Sequence, residues 1–324
     1  MDVLSRLRMP IGQEMTQFEA LFSLQLEHDN PLLAKALAHL SKRKGKMMRP
    51  ILVLLAAKAF GIVDGTVLHA AVSFEMLHTA SLVHDDVVDE SERRRGQQSV
   101  NSLLDNKAAV LVGDYLLSLA LQHAALTANI RAVEVVAGLG KELSIGELQQ
   151  LANLQSDVIG EAQYFDVISN KTASLFSACA YIGAHLGGAT EQQSQLLRDF
   201  GVAVGQCFQI RDDVFDYFDA EVGKPTGNDM KEGKLTLPAI YAVTQPGAEQ
   251  WREVAMRVRR GEASASEIAS LVDYTKQAGG IDYAMRRMDE IRSQALQMLD
   301  GAGMEPAIAE SLCLYLDFVV RRIC

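Results

Sequence analysis

Residues 75–96 read EMLHTASLVHDDVVDESERRRG, an apolar run that leads into three aspartates and then three arginines. Asp85 and Asp89 stand four residues apart, so on a helix their carboxylates share one face about one turn apart. Like charges so placed repel mildly, whereas a hard cation such as Mg²⁺ takes carboxylate oxygens together with the phosphate oxygens of a substrate. Upstream, Val67, Ala71, Phe74, Met76, Leu77 and Leu82 make the stretch from about Gly65 to Glu90 dense enough in apolar residues for a helix buried on most sides. For one such motif alone, a solvated acidic face is the bland alternative.

The pattern recurs. Asp212, Asp213 and Asp216 stand in FQIRDDVFDY (208–217), again behind an apolar segment, Val202 to Ile210. Acidic clusters at the ends of two buried helices need a partner, and one shared diphosphate site supplies it. Arg94 and Arg95 offer planar donors suited to bidentate phosphate contact, although cations near a helix C-terminus read the same way. Gly45-Lys46-Met47-Met48-Arg49-Pro50 puts Lys46 and Arg49 three residues apart at the start of a helix, an anion clamp or a solvated basic stretch after Lys42, Arg43 and Lys44. His78 lies seven residues before Asp85 and shares the aspartates' face, as a ligand contact or a core histidine. His84 is less well placed and is read as structural.

No proline occurs between Pro50 and Pro225, so long helices are the simplest reading. Further helices are expected from Lys107 to Thr127, Ala132 to Leu154, Asp157 to Leu186 and Gln192 to Phe218. A polar loop follows, and helical patterns resume from Leu235 through three charged, amphipathic segments, Glu249 to Arg260, Ser264 to Lys276 and Ile281 to Leu299. With 48% apolar residues, few aromatics and no break in composition, the 324 residues are expected to form one all-α domain, 1–324, a helical bundle around an apolar cavity. A net charge of −10 argues against nucleic-acid binding. Cys179, Cys207, Cys313 and Cys324 make no CxxC pair, which fits neither a zinc site nor a disulfide framework and suits a reducing cytoplasm. No targeting segment and no uninterrupted membrane-spanning run is found.

These motifs, together with Lys171-Thr172 in SNKTASLF (169–176) and the loop GKPTGNDMKEGKLTLP (223–238), resemble the trans-isoprenyl diphosphate synthases nearly over the full length, and within them the long-chain polyprenyl synthases of quinone side chains. The resemblance implies about three Mg²⁺ ions that bridge an allylic diphosphate, expected to be farnesyl diphosphate, to Asp85 and Asp89 on one side and Asp212 on the other, with Asp86, Asp213 and Asp216 in support. It implies that Arg94, Lys171, Lys224 and Lys234 hold the allylic diphosphate, that Lys46, Arg49, His78 and Arg95 hold isopentenyl diphosphate, and that Thr172 and Gln209 face the developing cation. It also implies a homodimer, to which the Lys107 to Thr127 segment is suited, and leaves room for a transient membrane contact at product release.

Ala80 and Ser81, five and four residues before Asp85, lie beneath the metal mouth. In the family a bulky aromatic there closes the cavity, so small residues imply a long product, roughly octaprenyl, with Phe74 the next obstruction. Gln97-Gln98-Ser99 departs from a more basic family pattern and is read as structural. A shorter-chain synthase and a non-catalytic helical partner subunit are the alternatives. A terpene cyclase is disfavoured by the second DDxxD, and a carboxylate metal-oxidase bundle by the single Glu75-Met-Leu-His78 pair.

Overall fold

The computed structural model describes residues 2–42, 45–94, 96–218 and 227–321. The architecture is all-α: among the described residues the β-structure is a two-residue hairpin, Arg93–Arg94 antiparallel to Gln97–Gln98. The chain divides into two compact units, Met1–Gly140 with Leu175–Arg198 and Leu299–Tyr315, and Lys141–Ser174 with Asp199–Met298 and Leu316–Cys324.

In the first unit the central helix is Gly65–Val88. Asp64 starts it, its Oδ1 accepting from the backbone N–H groups of Thr66 and Val67 at 2.9 and 3.2 Å. Met48–Lys58 is apolar on every side, and Ile51 to Ala57 are fully buried. Gly183 and Gly187 let the chain after Phe176 lie against it: a Cβ at either would come within 2.5 or 2.2 Å of the Val53 or Ala57 carbonyl oxygen. Asn106–Leu126 packs along the central helix, and Gly113 makes room for the His84 ring, which reaches the Val110 carbonyl at 3.2 Å and Asp114 at 3.4 Å. By length and composition Asn106–Leu126 could cross a membrane, contrary to the expectation that no segment could. That expectation counted uninterrupted runs, and Asp114 breaks this one; its face with Val112, Leu116, Ala120 and Ala124 is buried in the unit.

In the second unit the segment expected as helix from Asp157 begins four residues later, at Glu161, with extended Gly160 as its N-cap. It then passes through a π-turn, Ser169–Ala173, and the helix that follows, Ser174–Leu186, belongs to the first unit from Leu175 on. Glu191–Phe215 ends three residues before the expected Phe218. Leu237–Thr244, Glu249–Arg259, Ala265–Gln277 and Gly280–Gly301 follow, Ser264 and Glu267 forming a reciprocal capping box on the third of these. Gly12–Leu24, Pro31–Ser41 and Pro306–Arg321 are helices that the sequence reading does not single out.

Candidate active site

The first acidic motif sits in the last turn of the Gly65–Val88 helix. Asp85 is half-buried, Asp86 is 1% exposed, and Asp89, the C-cap, is exposed. A helix C-terminus carries partial negative charge, so three carboxylates there raise the potential further and call for a cation. Arg94 meets part of that need: its Nε donates to Asp86 Oδ1 at 2.5 Å. The chain returns for this contact through Glu90 at φ 49° and the Arg93–Arg94 hairpin, where Gln97 and Gln98 serve as the partner strand. Asp86 Oδ2 is buried and has no hydrogen-bond partner among the described residues.

Further up the same helix, Ala80 is 2% exposed, Ser81 is half-buried with its hydroxyl on the His78 carbonyl at 3.0 Å, and Phe74 is fully buried. Lys46 is exposed. Arg49, half-buried in the first turn of Met48–Lys58, lies over the Phe176 ring, 4.8 Å from its centroid.

The second motif is more enclosed. The π-turn brings Lys171 to the Ile130–Leu154 helix, and Thr172 to the Glu191–Phe215 helix, where Gly205 permits the approach. One turn further on, Gln209 Oε1 accepts from Thr172 Oγ1 at 2.8 Å. Gln209 Nε2 donates to Asp213 Oδ1 at 2.8 Å, and Tyr164 Oη donates to Asp213 Oδ2 at 2.7 Å. Lys171 Nζ pairs with Glu147 Oε2 at 2.5 Å and reaches Gln150 Oε1 at 3.4 Å. Asp216 accepts from the backbone N–H groups of Asn228 and Asp229 at 3.1 and 3.2 Å, which fastens the start of the short Asn228–Lys231 helix to the motif. Lys234 pairs with Glu232 at 2.6 Å. One cavity is lined by Lys171, Thr172, Gln209, Asp213, Asp229 and Lys234, with Tyr164, Ile168, Ile240 and Arg259 on its walls.

Burial pushes the Asp213 carboxyl up to about 6, against the pull of the Tyr164 and Gln209 hydrogen bonds, with Asp216 adding to the rise. Burial also raises the Asp229 carboxyl well above the usual range, and the charges of Asp213 and Asp216 add to it. Acid groups crowded to this degree are short of positive charge. This donor set fits hard divalent cations such as Mg²⁺, and in the first unit the orphaned Asp86 oxygen is by itself a donor of the same kind. Among the described residues no three His, Cys, Asp or Glu side chains form a closed cage. Mg²⁺ does not need one, since it keeps open positions that substrate phosphates fill.

Arg95 and Lys224 lie outside the described residues. Asp229, Tyr164, Glu147 and Arg259 belong to the site's surroundings but are not among the residues the sequence singles out. Asp229 stood within the quoted loop, and its carboxylate was the available signal. Tyr164 is 49 residues from Asp213 and carries no local signal.

A model of the family described as "Polyprenyl synthetase" matches residues 30–275. The chain is 36% identical over 281 residues to the octaprenyl diphosphate synthase of Haemophilus influenzae, covering 85% of this chain and 84% of that one. Among solved structures it is similar to a geranylgeranyl pyrophosphate synthase from Bacteroides thetaiotaomicron, at 44% identity and TM-score 0.88 over 99% of this chain and 100% of that one. It is also similar to a polyprenyl synthase from Caulobacter crescentus CB15 complexed with calcium and isoprenyl diphosphate, at 30% identity and TM-score 0.91 over 99% and 98%.

Proposed function

The chain belongs to the polyprenyl synthetase family and is a trans-prenyltransferase, and from that premise we propose that it adds isopentenyl diphosphate repeatedly to an allylic primer, farnesyl diphosphate, to make a roughly octaprenyl all-trans diphosphate. Residues 1–324 act as one synthase in this reading.

Asp85, Asp89 and Asp212, supported by Asp86, Asp213 and Asp216, are the residues that would hold Mg²⁺ against the allylic diphosphate. When bound, the metal offsets the negative charge that grows on the leaving group. The calcium and isoprenyl diphosphate held by the Caulobacter relative support this part of the reading. Lys171, Lys234, Lys224 and Arg94 are fixed cations for the same group; Lys171 exchanges Glu147 for it. Lys46, Arg49, His78 and Arg95 hold isopentenyl diphosphate.

The allylic carbon–oxygen bond breaks with its electrons going to diphosphate, and the isopentenyl double bond attacks the resulting cation. Loss of a proton to the released diphosphate restores a double bond, so no protein nucleophile is needed. Thr172 and Gln209 face the cation, and apolar surroundings keep water from quenching it.

The long product is carried by one observation: Ala80 and Ser81, the residues one turn before Asp85, are small. Phe74 lies 85 − 74 = 11 residues before Asp85, about 16 Å along the axis. A second reading, a shorter-chain synthase, is favoured by the likeness to the geranylgeranyl pyrophosphate synthase. The homodimer and the cytoplasmic setting belong to the same proposal. Exposed Val110, Leu111, Leu121 and Leu126 on one apolar helix support the first, and free, buried Cys179 and Cys207 the second.

Purified protein incubated with isopentenyl diphosphate and farnesyl diphosphate, with Mg²⁺ or with EDTA, tests the whole reading by mass spectrometry. Mg²⁺-dependent products longer than geranylgeranyl are expected. Elongation that stops at geranylgeranyl selects the shorter-chain reading, and no elongation with any primer rejects both.

A further inference from the structure

Asp213 is 4% exposed, and both of its carboxylate oxygens are taken by side-chain donors of the protein: Tyr164 Oη on Oδ2 at 2.7 Å and Gln209 Nε2 on Oδ1 at 2.8 Å. A carboxylate only accepts hydrogen bonds. The Gln209 amide must therefore turn its NH₂ group to Asp213, which leaves its carbonyl oxygen for the Thr172 hydroxyl at 2.8 Å. The orientation of an amide, which two nearly isosteric ends would otherwise leave open, is dictated here by the carboxylate beside it.

We propose that Tyr164 is a positioning residue of the prenyl transfer: by holding the far oxygen of Asp213 it keeps the Gln209 amide turned with its carbonyl oxygen towards Thr172, in the wall of the cavity that all four residues line. This rests on the prenyl-transfer reading and deepens it. A carbonyl oxygen presents partial negative charge where an allylic cation develops, whereas the flipped amide would present N–H donors with the opposite polarity. Tyr164 suits the task because its ring is 7% exposed and so packed that the hydroxyl has a fixed place. Without that hydroxyl the carboxylate keeps one anchor and can rotate, and Gln209 loses the fixed acceptor that sets its direction. The arrangement acts through Asp213 and Gln209, not by contact of Tyr164 with the reacting carbon.

The test is Tyr164→Phe, which removes one oxygen and keeps the ring. With wild-type protein as reference, a lack of Mg²⁺-dependent elongation would count against the prenyl-transfer reading itself. Given an active wild type, the variant is expected to lose about tenfold or more in kcat for the first condensation while KM for isopentenyl diphosphate changes less than about threefold. Calorimetric affinity for inorganic diphosphate with Mg²⁺ should stay within about threefold of wild type, since the hydroxyl serves the amide and not the leaving group. Combined with Gln209→Ala, the Tyr164→Phe change should slow the reaction no further than Gln209→Ala alone. Unchanged kcat in Tyr164→Phe, or losses that add in the double variant, would overturn the proposal. Should Tyr164→Phe not fold, Tyr164→Met, which keeps an apolar side chain of similar reach and lacks the hydroxyl, carries the same cycle; additive loss with Gln209→Ala, or unchanged kcat in Tyr164→Met, would again overturn it.

Discussion

A Cβ placed on Gly205 would lie 2.4 Å from the Cα of Ala173, so the Glu191–Phe215 helix and the π-turn meet backbone to backbone. The obstacle is main chain, which cannot rotate aside as a side-chain tip would. Gly205→Ala gains up to about 1 kcal/mol in helix propensity, but the overpacking costs about 1–3 kcal/mol, so a net loss of stability is expected. Chemical denaturation measures it. The same displacement pulls Gln209 from Thr172, and turnover should fall by more than the stability loss explains. A variant as stable and as active as wild type would show that this close approach has no consequence.

The acidic motifs and the central helices are legible because their signals are local: apolar density from Val67 to Val83, a pair of aspartates four apart, and Ser264 three residues before Glu267. What the sequence hides is set by packing between distant segments. The start at Glu161 instead of Asp157 depends on Gly160 in an extended conformation, and the π-turn depends on Gly205 across from it. Lys171 to Glu147 and Tyr164 to Asp213 join residues 24 and 49 positions apart, and no periodicity announces either pair. The terminal helix Pro306–Arg321, which the sequence reading passes over, does carry a local signal, since Ile308, Leu312, Tyr315, Leu316 and Val319 recur at helical spacing and are buried.

Arg94 reads in the sequence as a phosphate-binding residue, and in the fold it also supplies the cation for a carboxylate that is 1% exposed. The two roles separate by measurement. Arg94→Gln leaves Asp86 buried without its cation, and a loss of roughly 2 kcal/mol is expected in substrate-free protein, below the 3–5 kcal/mol of a fully buried pair because Arg94 is partly solvated. Adding Asp86→Asn should recover part of it in a double-mutant cycle. If substrate-free stability is untouched and only KM for the allylic diphosphate rises, the ion pair has no structural weight.

His123 is 2% exposed and its Nδ1 lies 3.0 Å from that of His69, so one ring donates and the other accepts. Burial, with the His69 charge second, lowers its pKa from 6.5 to about 4. The unfolded chain therefore binds a proton near pH 6.5 that the folded chain refuses until about 4. The sign follows: stability is at its full value above pH 6.5 and falls as pH drops through that window, by roughly 2 kcal/mol between pH 7 and 4.5. Urea denaturation at the two pH values, compared with His123→Gln, isolates the effect. Equal pH slopes in the two proteins would mean that the histidine pair does not couple to folding.

The small residues before Asp85 make the sharpest prediction about product length. Ala80 is 2% exposed in the last turns of the Gly65–Val88 helix, with Phe74 fully buried further back. Under the long-chain proposal the growing isoprenoid passes these positions, so a ring at residue 80 stops it while the aspartates beyond remain in place. Ala80→Phe is expected to shift the product to farnesyl or geranylgeranyl length, with the first condensation retained within about tenfold of wild type. Its larger volume costs about 1–3 kcal/mol of stability, so the assay belongs well below the unfolding transition. Ser81→Phe, at a half-buried position, offers the same block with less overpacking. The reciprocal change, Phe74→Ala, lengthens the product if Phe74 ends the path, and leaves a cavity worth about 3–5 kcal/mol. Product lengths unaltered by Ala80→Phe and Ser81→Phe would place the elongating chain elsewhere, and the long-chain reading would lose the observation that carries it.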